Sequence, residues 1–66
     1  MIQFHKSEIL RYDYEVFKNK IKTPYCITKE DGWLYVYEDG HIIERFDMLR
    51  KAKEFIINKL EKGTLI

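Results

Sequence analysis

The 66-residue sequence contains one cysteine, one proline and three glycines, and it has no long apolar run. A single cysteine cannot form an internal disulfide, which excludes a small secreted scaffold held together by several such bonds. No segment approaches the roughly 20 apolar residues that span a bilayer, and the first residues lack the layout of a signal peptide. We therefore expect one small cytoplasmic domain, residues 1–66, whose fold depends on packing.

The sequence also has almost no net charge, because 12 Lys+Arg are balanced against 11 Asp+Glu to give +1. A molecule with so small a net charge is not drawn to nucleic acid or to a membrane surface by its overall field. The charges are nevertheless segregated along the chain. Residues 16–29 and 48–62 are net basic, whereas residues 30–47 are net acidic.

Side chains that commonly carry catalysis or bind metals are sparse. Cys26, His5 and His41 are too few for a structural zinc site, and none has metal-site spacing. Cys26 would need a neighbouring histidine or cation to become a reactive thiolate, and the strand pairing proposed below places it opposite Tyr37. We therefore expect a non-enzymatic protein without a metal or cofactor, in which Cys26 is a buried thiol.

Residues 48–62 are predicted to form a C-terminal helix. Their apolar residues, including Leu49, Ala52, Ile56 and Leu60, recur at spacings of three and four. Asp47 suits the N-cap position before this run.

Two Asp-Gly pairs, at 31–32 and 39–40, predict tight hairpin turns, because both central positions of such turns need a positive φ. The flanking segments are rich in Tyr, Ile, Val and Trp, which favour strands. The sequence therefore predicts an α+β fold in which a three-stranded antiparallel meander, over residues 25–30, 33–38 and 41–46, packs against the C-terminal helix.

Alternation along these strands predicts two different faces. We expect the helix to cover the aliphatic face, which consists of Tyr25, Ile27, Leu34, Val36 and Ile43. The aromatic face is expected to contain Cys26, Thr28, Glu30, Trp33, Tyr35, Tyr37, Ile42, Glu44 and Phe46. In this pairing Val36 lies opposite Ile43 and Trp33 lies opposite Phe46.

The N-terminal third gives two conflicting signals. The stripe of Leu10, Tyr14, Phe17 and Ile21 has helical spacing, whereas residues 11–16 alternate as a strand does. We favour a helix over about 8–20, ended by Thr23-Pro24 and lying against the aromatic face, which it would cover fully or only in part. Residues 2–4 are expected to form a short edge strand.

The aromatic face and the acidic turn tips predict a surface that binds another protein. Trp and Tyr are enriched at interfaces because they bury a large area and keep a polar tip, and carboxylates can meet a basic patch on a partner. The predicted function is a small binding protein that modulates a larger protein partner. The predicted contact residues are Trp33, Tyr35, Tyr37, Glu38, Asp39 and Glu44.

Two alternatives remain open. A nucleic-acid-binding module would contact phosphates through the basic segments, although the acidic sheet is poorly suited to enter a groove. The residues for this alternative are Lys18, Lys20, Lys22, Arg50, Lys51 and Lys53. A homodimer formed through the aromatic face would instead give the protein a structural role.

Overall fold

The structure, a computed structural model, describes residues 1–7 and 12–62. It contains five strands and one helix, which are β1 (Ile2–Lys6), β2 (Tyr14–Lys18), β3 (Ile21–Glu30), β4 (Trp33–Glu38), β5 (His41–Phe46) and α1 (Leu49–Lys62). The strands form one antiparallel sheet in chain order. The helix packs on one side of this sheet, chiefly against β4 and β5. The fold is therefore α+β, with a sheet layer and a single helix.

The prediction of a three-stranded meander with an N-terminal helix is wrong. Tyr14–Lys18 is a strand, and together with β1 it extends the meander to five strands. Residues 8–11 of the predicted helix lie outside the described part. A helix here would have left one edge of the long strand β3 unpaired, whereas β2 and β3 satisfy each other's backbone groups as neighbouring strands. The edge strand expected near residues 2–4 is confirmed as β1.

Three hairpin turns connect β2 to β5, and each has two central residues with positive φ. The predicted turns at Asp31-Gly32 and Asp39-Gly40 are confirmed, with φ of 52° and 81° in the first and 52° and 82° in the second. The third turn, Asn19-Lys20, has φ of 52° and 70°. It joins β2 to β3 without a glycine, which explains why the sequence signal for this hairpin is weak.

The Thr23-Pro24 pair ends no helix and instead forms an irregularity within β3. The pairing passes from Glu15–Cys26 to Phe17–Lys22, so β3 has extra residues opposite Val16. Proline has no N–H to donate, and the Thr23 hydroxyl donates to the Val16 carbonyl oxygen at 2.7 Å. The only proline in the chain therefore lies where the ladder is interrupted, as expected for proline within a sheet.

The core lies between the sheet and α1. Its buried members are Val16, Tyr25, Ile27, Leu34, Val36, Ala52 and Ile56. Four of the five residues predicted for the aliphatic face are therefore buried, and the helix covers that face as predicted. The exception is Ile43, which is 37% exposed.

A bulge in β5 explains the exposure of Ile43. The pairing of Tyr37 with Ile42 is as predicted, but the register then shifts, so that Val36 pairs with Glu44 and Leu34 with Phe46. The predicted pairs Val36–Ile43 and Trp33–Phe46 are therefore wrong. Because a shift of one residue exchanges the faces of a strand, every side chain after the bulge lies on the side opposite to the prediction.

The shift in register adds a large apolar side chain to the helix side of the sheet. Phe46 moves from the predicted aromatic face to the helix side, where its ring centroid lies 5.4 Å from that of Phe55. Glu44 also moves to the helix side, whereas Arg45, predicted at the margin of the aliphatic face, lies on the opposite side and pairs with Tyr35. The bulge thus places a large aromatic side chain under α1 where an unbulged strand would have placed an arginine.

Candidate functional site

The side of the sheet that faces away from α1 carries an aromatic cluster. Trp33, Tyr35 and Tyr37 alternate along β4 with the buried residues Leu34 and Val36, so their side chains point to the other side. On β5, Ile42 pairs with Tyr37 and Arg45 pairs with Tyr35. We call the surface formed by Trp33, Tyr35, Tyr37, Ile42 and Arg45 the open face.

No strand or helix among the described residues forms a layer over the open face. The N-terminal segment that was expected to cover it forms β1 and β2 within the sheet. Trp33 is 37% exposed and Ile42 is 56% exposed, and Tyr35 and Tyr37 are half-buried. Clustered apolar side chains that remain accessible on a folded surface are typical of interaction sites.

Ring contacts fix part of the open face. The Arg45 guanidinium lies 4.3 Å from the centroid of the Trp33 ring, a cation–π contact that contributes about 0.5–1 kcal/mol at an exposed position. Tyr12 makes an edge-to-face contact with Tyr37, with ring centroids 5.2 Å apart. These contacts restrict the rotamers of the rings, so less conformational entropy remains to be lost when a partner binds.

Toward β2, the same side of the sheet carries an ion pair. Glu15 and Lys22 form an ion pair with 2.7 Å between Oε2 and Nζ. The hydrogen bond and positive charge of Lys22 lower the pKa of Glu15, and Glu15 in turn raises the pKa of Lys22. Both groups are therefore charged at neutral pH, and their charges cancel.

Cys26 lies between these two regions, paired with Glu15 on one side and Tyr37 on the other. It is a free, buried thiol, and the predicted pairing with Tyr37 is confirmed. Burial raises the pKa of the thiol. Because the thiolate is the reactive form, this environment disfavours nucleophilic chemistry at Cys26.

The structure brings together only the aromatic half of the predicted contact set. Trp33, Tyr35 and Tyr37 share the open face, but the three acidic residues do not join them. Glu38 pairs with Tyr25 and therefore lies on the helix side. The pKa of Tyr25 is raised mainly by burial and also by the Glu38 carboxylate. Asp39 lies in the hairpin turn.

Glu44 is separated from the rings by the bulge, which pairs it with Val36. Arg45 occupies the place on the open face that Glu44 was expected to fill, and sequence reasoning missed it. The only signal in the sequence was Phe46, since an unbulged register would have kept that large apolar residue out of the core. The surface is therefore aromatic with a cation, whereas the sequence predicted an aromatic surface with a carboxylate.

The residues of the nucleic-acid alternative do not form one strip. Lys18 lies on the helix side and donates to the Leu60 carbonyl oxygen at 3.1 Å, whereas Lys22 pairs with Glu15 on the opposite side. Lys20 is part of a turn. The remaining three have partners near α1, which are Glu54 for Arg50, Asp47 for Lys51 and the Phe4 ring for Lys53.

Within residues 1–7 and 12–62, no three His, Cys, Asp or Glu side chains are grouped so that they could hold a metal ion. The same part of the chain contains no helix with the length and apolar character needed to cross a membrane. No protein-family model matches the sequence, and comparisons with curated proteins and with solved structures give no match either. The function is therefore argued from the chemistry of the open face.

Proposed function

We propose that this is a small non-enzymatic binding protein that docks on a larger protein through its open face and modulates that partner. The observation that carries the proposal is the placement of Trp33, Tyr35 and Tyr37 on one side of the sheet with no described layer over them. Trp, Tyr and Arg are the residue types that most often dominate the binding energy of protein interfaces. The open face contains all three types.

The size of the molecule is compatible with an interface of ordinary area. Its two longer extents are 35 and 22 Å, and a standard interface buries about 800 Å² of each partner. An interface of that area would therefore occupy most of one broad side of this protein. The open face would form its apolar centre, and the Glu15–Lys22 pair would lie in its polar rim.

The balance of charge on this side favours a protein over a nucleic acid. Arg45 and Lys22 are positive, whereas Glu15 and Glu30 share the same side by strand register and are negative. Binding to a nucleic-acid backbone depends on several cations that neutralise phosphates. Because the positive and negative charges on this side cancel, the surface does not provide the several free cations that such binding requires.

The test compares two exposed isoleucines on opposite sides of the sheet. Ile42 belongs to the open face and is 56% exposed, and Ile21 is 72% exposed and pairs with Lys18 on the helix side. The immobilised protein would recover its partner from a lysate, and the purified partner would then be titrated. We expect Ile42→Glu to weaken binding about tenfold or more, equivalent to about 1.4 kcal/mol, and Ile21→Glu to leave it unchanged. Equal losses, or no retained protein, would refute the proposal.

Two further measurements separate the alternatives. Sedimentation at micromolar concentration is expected to show a monomer, whereas a dimer that Ile42→Glu dissociates would assign the open face to a second copy of the chain. An electrophoretic shift assay at low ionic strength is expected to show no binding to DNA or RNA. Binding that falls steeply with salt and is lost on neutralising Arg50 and Lys51 would instead support the nucleic-acid alternative.

A further inference from the structure

We propose that Arg45, held against Trp33, recognises a carboxylate on the partner, carried by a segment that also presents an apolar side chain to Ile42 and Tyr35. This inference rests on the proposed function and specifies the chemistry of the partner. The open face would thus recognise a partner segment in which an acidic residue lies beside an apolar one.

The guanidinium of Arg45 is held on the open face by its neighbours. The β5 bulge places Arg45 opposite Tyr35, and the group lies 4.3 Å from the Trp33 ring centroid. A guanidinium is planar and carries its N–H donors around its edge. Contact with the ring therefore restrains the group while leaving donors available to a ligand that approaches from the side.

Arg45 has no counter-charge among the described residues. The neighbouring carboxylate, Glu44, uses Oε1 to accept the backbone N–H of Arg45 at 3.1 Å. That contact is to the backbone, and no carboxylate of the described residues forms an ion pair with the Arg45 guanidinium. A cation set among apolar rings without an internal partner is complementary to an anion supplied by another molecule.

The cations on this side of the sheet match a single carboxylate better than a row of phosphates. Lys22, the other cation on this side by strand register, is held by Glu15 at 2.7 Å. A single unpaired guanidinium matches one carboxylate, which it can bind through two parallel N–H···O bonds. Because a nucleic-acid backbone is a row of phosphates that requires several free cations, the open face favours an acidic side chain or a carboxyl terminus on a protein.

The experiment is a peptide-display selection against the folded wild-type protein, followed by titration of the enriched peptides synthesised without tryptophan. Trp33 is the only tryptophan in the chain, so its fluorescence reports binding at this site. Each peptide is compared with an analogue in which its acidic residue is replaced by the corresponding amide. The variants are Arg45→Gln, Arg45→Lys and a control, Arg50→Gln, which changes an exposed helix arginine paired with Glu54.

We expect the enriched peptides to carry Asp or Glu next to an apolar residue, and the amide analogues to bind about tenfold more weakly to wild type. Arg45→Gln should abolish the difference between acid and amide peptides. Arg45→Lys should retain part of it, because it keeps the charge and loses the planar fork, and Arg50→Gln should keep it in full.

Three results would overturn the inference. Peptides that bind equally well as acids and amides, yet lose binding with Ile42→Glu, would leave the proposed function standing and remove the role of Arg45. An oligothymidylate that quenches Trp33 more strongly than any peptide, in an Arg45-dependent manner, would assign the guanidinium to phosphate. A selection that enriches no peptide on wild type relative to Ile42→Glu would count against both proposals.

Discussion

Lys20 adopts a left-handed backbone conformation that is unfavourable for a long side chain. It occupies the second central position of the β2–β3 turn with φ of 70°, a left-handed conformation that costs a residue with a Cβ about 1–2 kcal/mol. The two equivalent positions in the other turns are occupied by Gly32 and Gly40. Lys20 therefore satisfies the geometry of the hairpin at a cost in stability.

Replacing Lys20 by glycine should stabilise the protein. Asn-Gly is the most favoured pair for a turn with two positive φ values, and we expect Lys20→Gly to raise the free energy of unfolding by about 1 kcal/mol, measured by urea denaturation. Gly40→Ala is the matched control. A Cβ at Gly40 meets no atom within 4 Å, so the loss of about 1 kcal/mol expected there comes from backbone strain alone. A loss of stability in Lys20→Gly would contradict the assigned turn.

At the scale of elements, the β5 bulge decides which side chains reach the core and which reach the open face. Phe46 packs against the core on the helix side, beside the Phe55 ring, and Ile43 is the exposed extra residue. Without the bulge these two residues would exchange roles. The register of a single strand therefore controls both the stability of the fold and the charge of the candidate site.

Two alanine substitutions test this register. Phe46→Ala should lower the free energy of unfolding by about 3 kcal/mol, since it removes a large ring from the core, and Ile43→Ala should cost less than about 1 kcal/mol. Equilibrium urea denaturation of both variants measures the difference. The unbulged register makes the opposite prediction, so a larger loss for Ile43→Ala than for Phe46→Ala would show that the bulge is absent.

The sequence predicted β4, β5, α1 and their turns because each has a local signal. An Asp-Gly pair lies on each side of β4, one of these pairs directly precedes β5, and the helix has regular apolar spacing. The strand β2 was missed because Tyr14 and Phe17 fit a helical stripe as well as a strand, and its turn at Asn19-Lys20 lacks glycine. Pairing with β3 favours the strand, because the edge of β3 would otherwise lack a hydrogen-bonding partner. This is a tertiary interaction, which the local periodicity of the sequence does not reveal.

The candidate site was predicted only in part for a related reason. The three rings were placed correctly because they lie on β4 between two well-signalled turns. Glu44 was included and Arg45 was missed because a bulge adds one residue to one strand without leaving a mark in the local pattern. Only the shifted pairing places Phe46 on the helix side, so the burial of this large apolar ring favours the shifted pairing over the regular one.

At the scale of the whole molecule, the position of the N-terminal third determines how much of the sheet remains accessible. Because this segment contributes β1 and β2, it widens the sheet and leaves α1 as the only described layer. The core is accordingly thin, and Val16, Ile27, Val36 and Ile56 are its largest fully buried side chains. A molecule with one covered side keeps the other side for contacts, and its stability depends on a few residues.

Ile56 should therefore carry a large share of the total stability. Truncation of such a side chain costs about 2–5 kcal/mol, whereas a domain of this size is stable by about 3–10 kcal/mol in all. Cys26 supplies the measurement, because its thiol is buried and becomes accessible to a thiol reagent when the structure opens. We expect Ile56→Ala to accelerate the labelling of Cys26 by at least about thirtyfold, which corresponds to 2 kcal/mol when opening is a rapid equilibrium.

Met48→Ala, at a position 46% exposed beside the same helix, should leave the labelling rate within about threefold of wild type, as expected for a surface substitution. Adding Lys20→Gly to Ile56→Ala should slow labelling again, since the two sites lie on different elements and their effects should add. Fast labelling of the wild type, unchanged by Ile56→Ala, would mean that Cys26, which lies on the central strand, is reached by local movement of the side chains around it and not by opening of the core. The aromatic cluster next to it would then be less rigid than the proposed binding face requires.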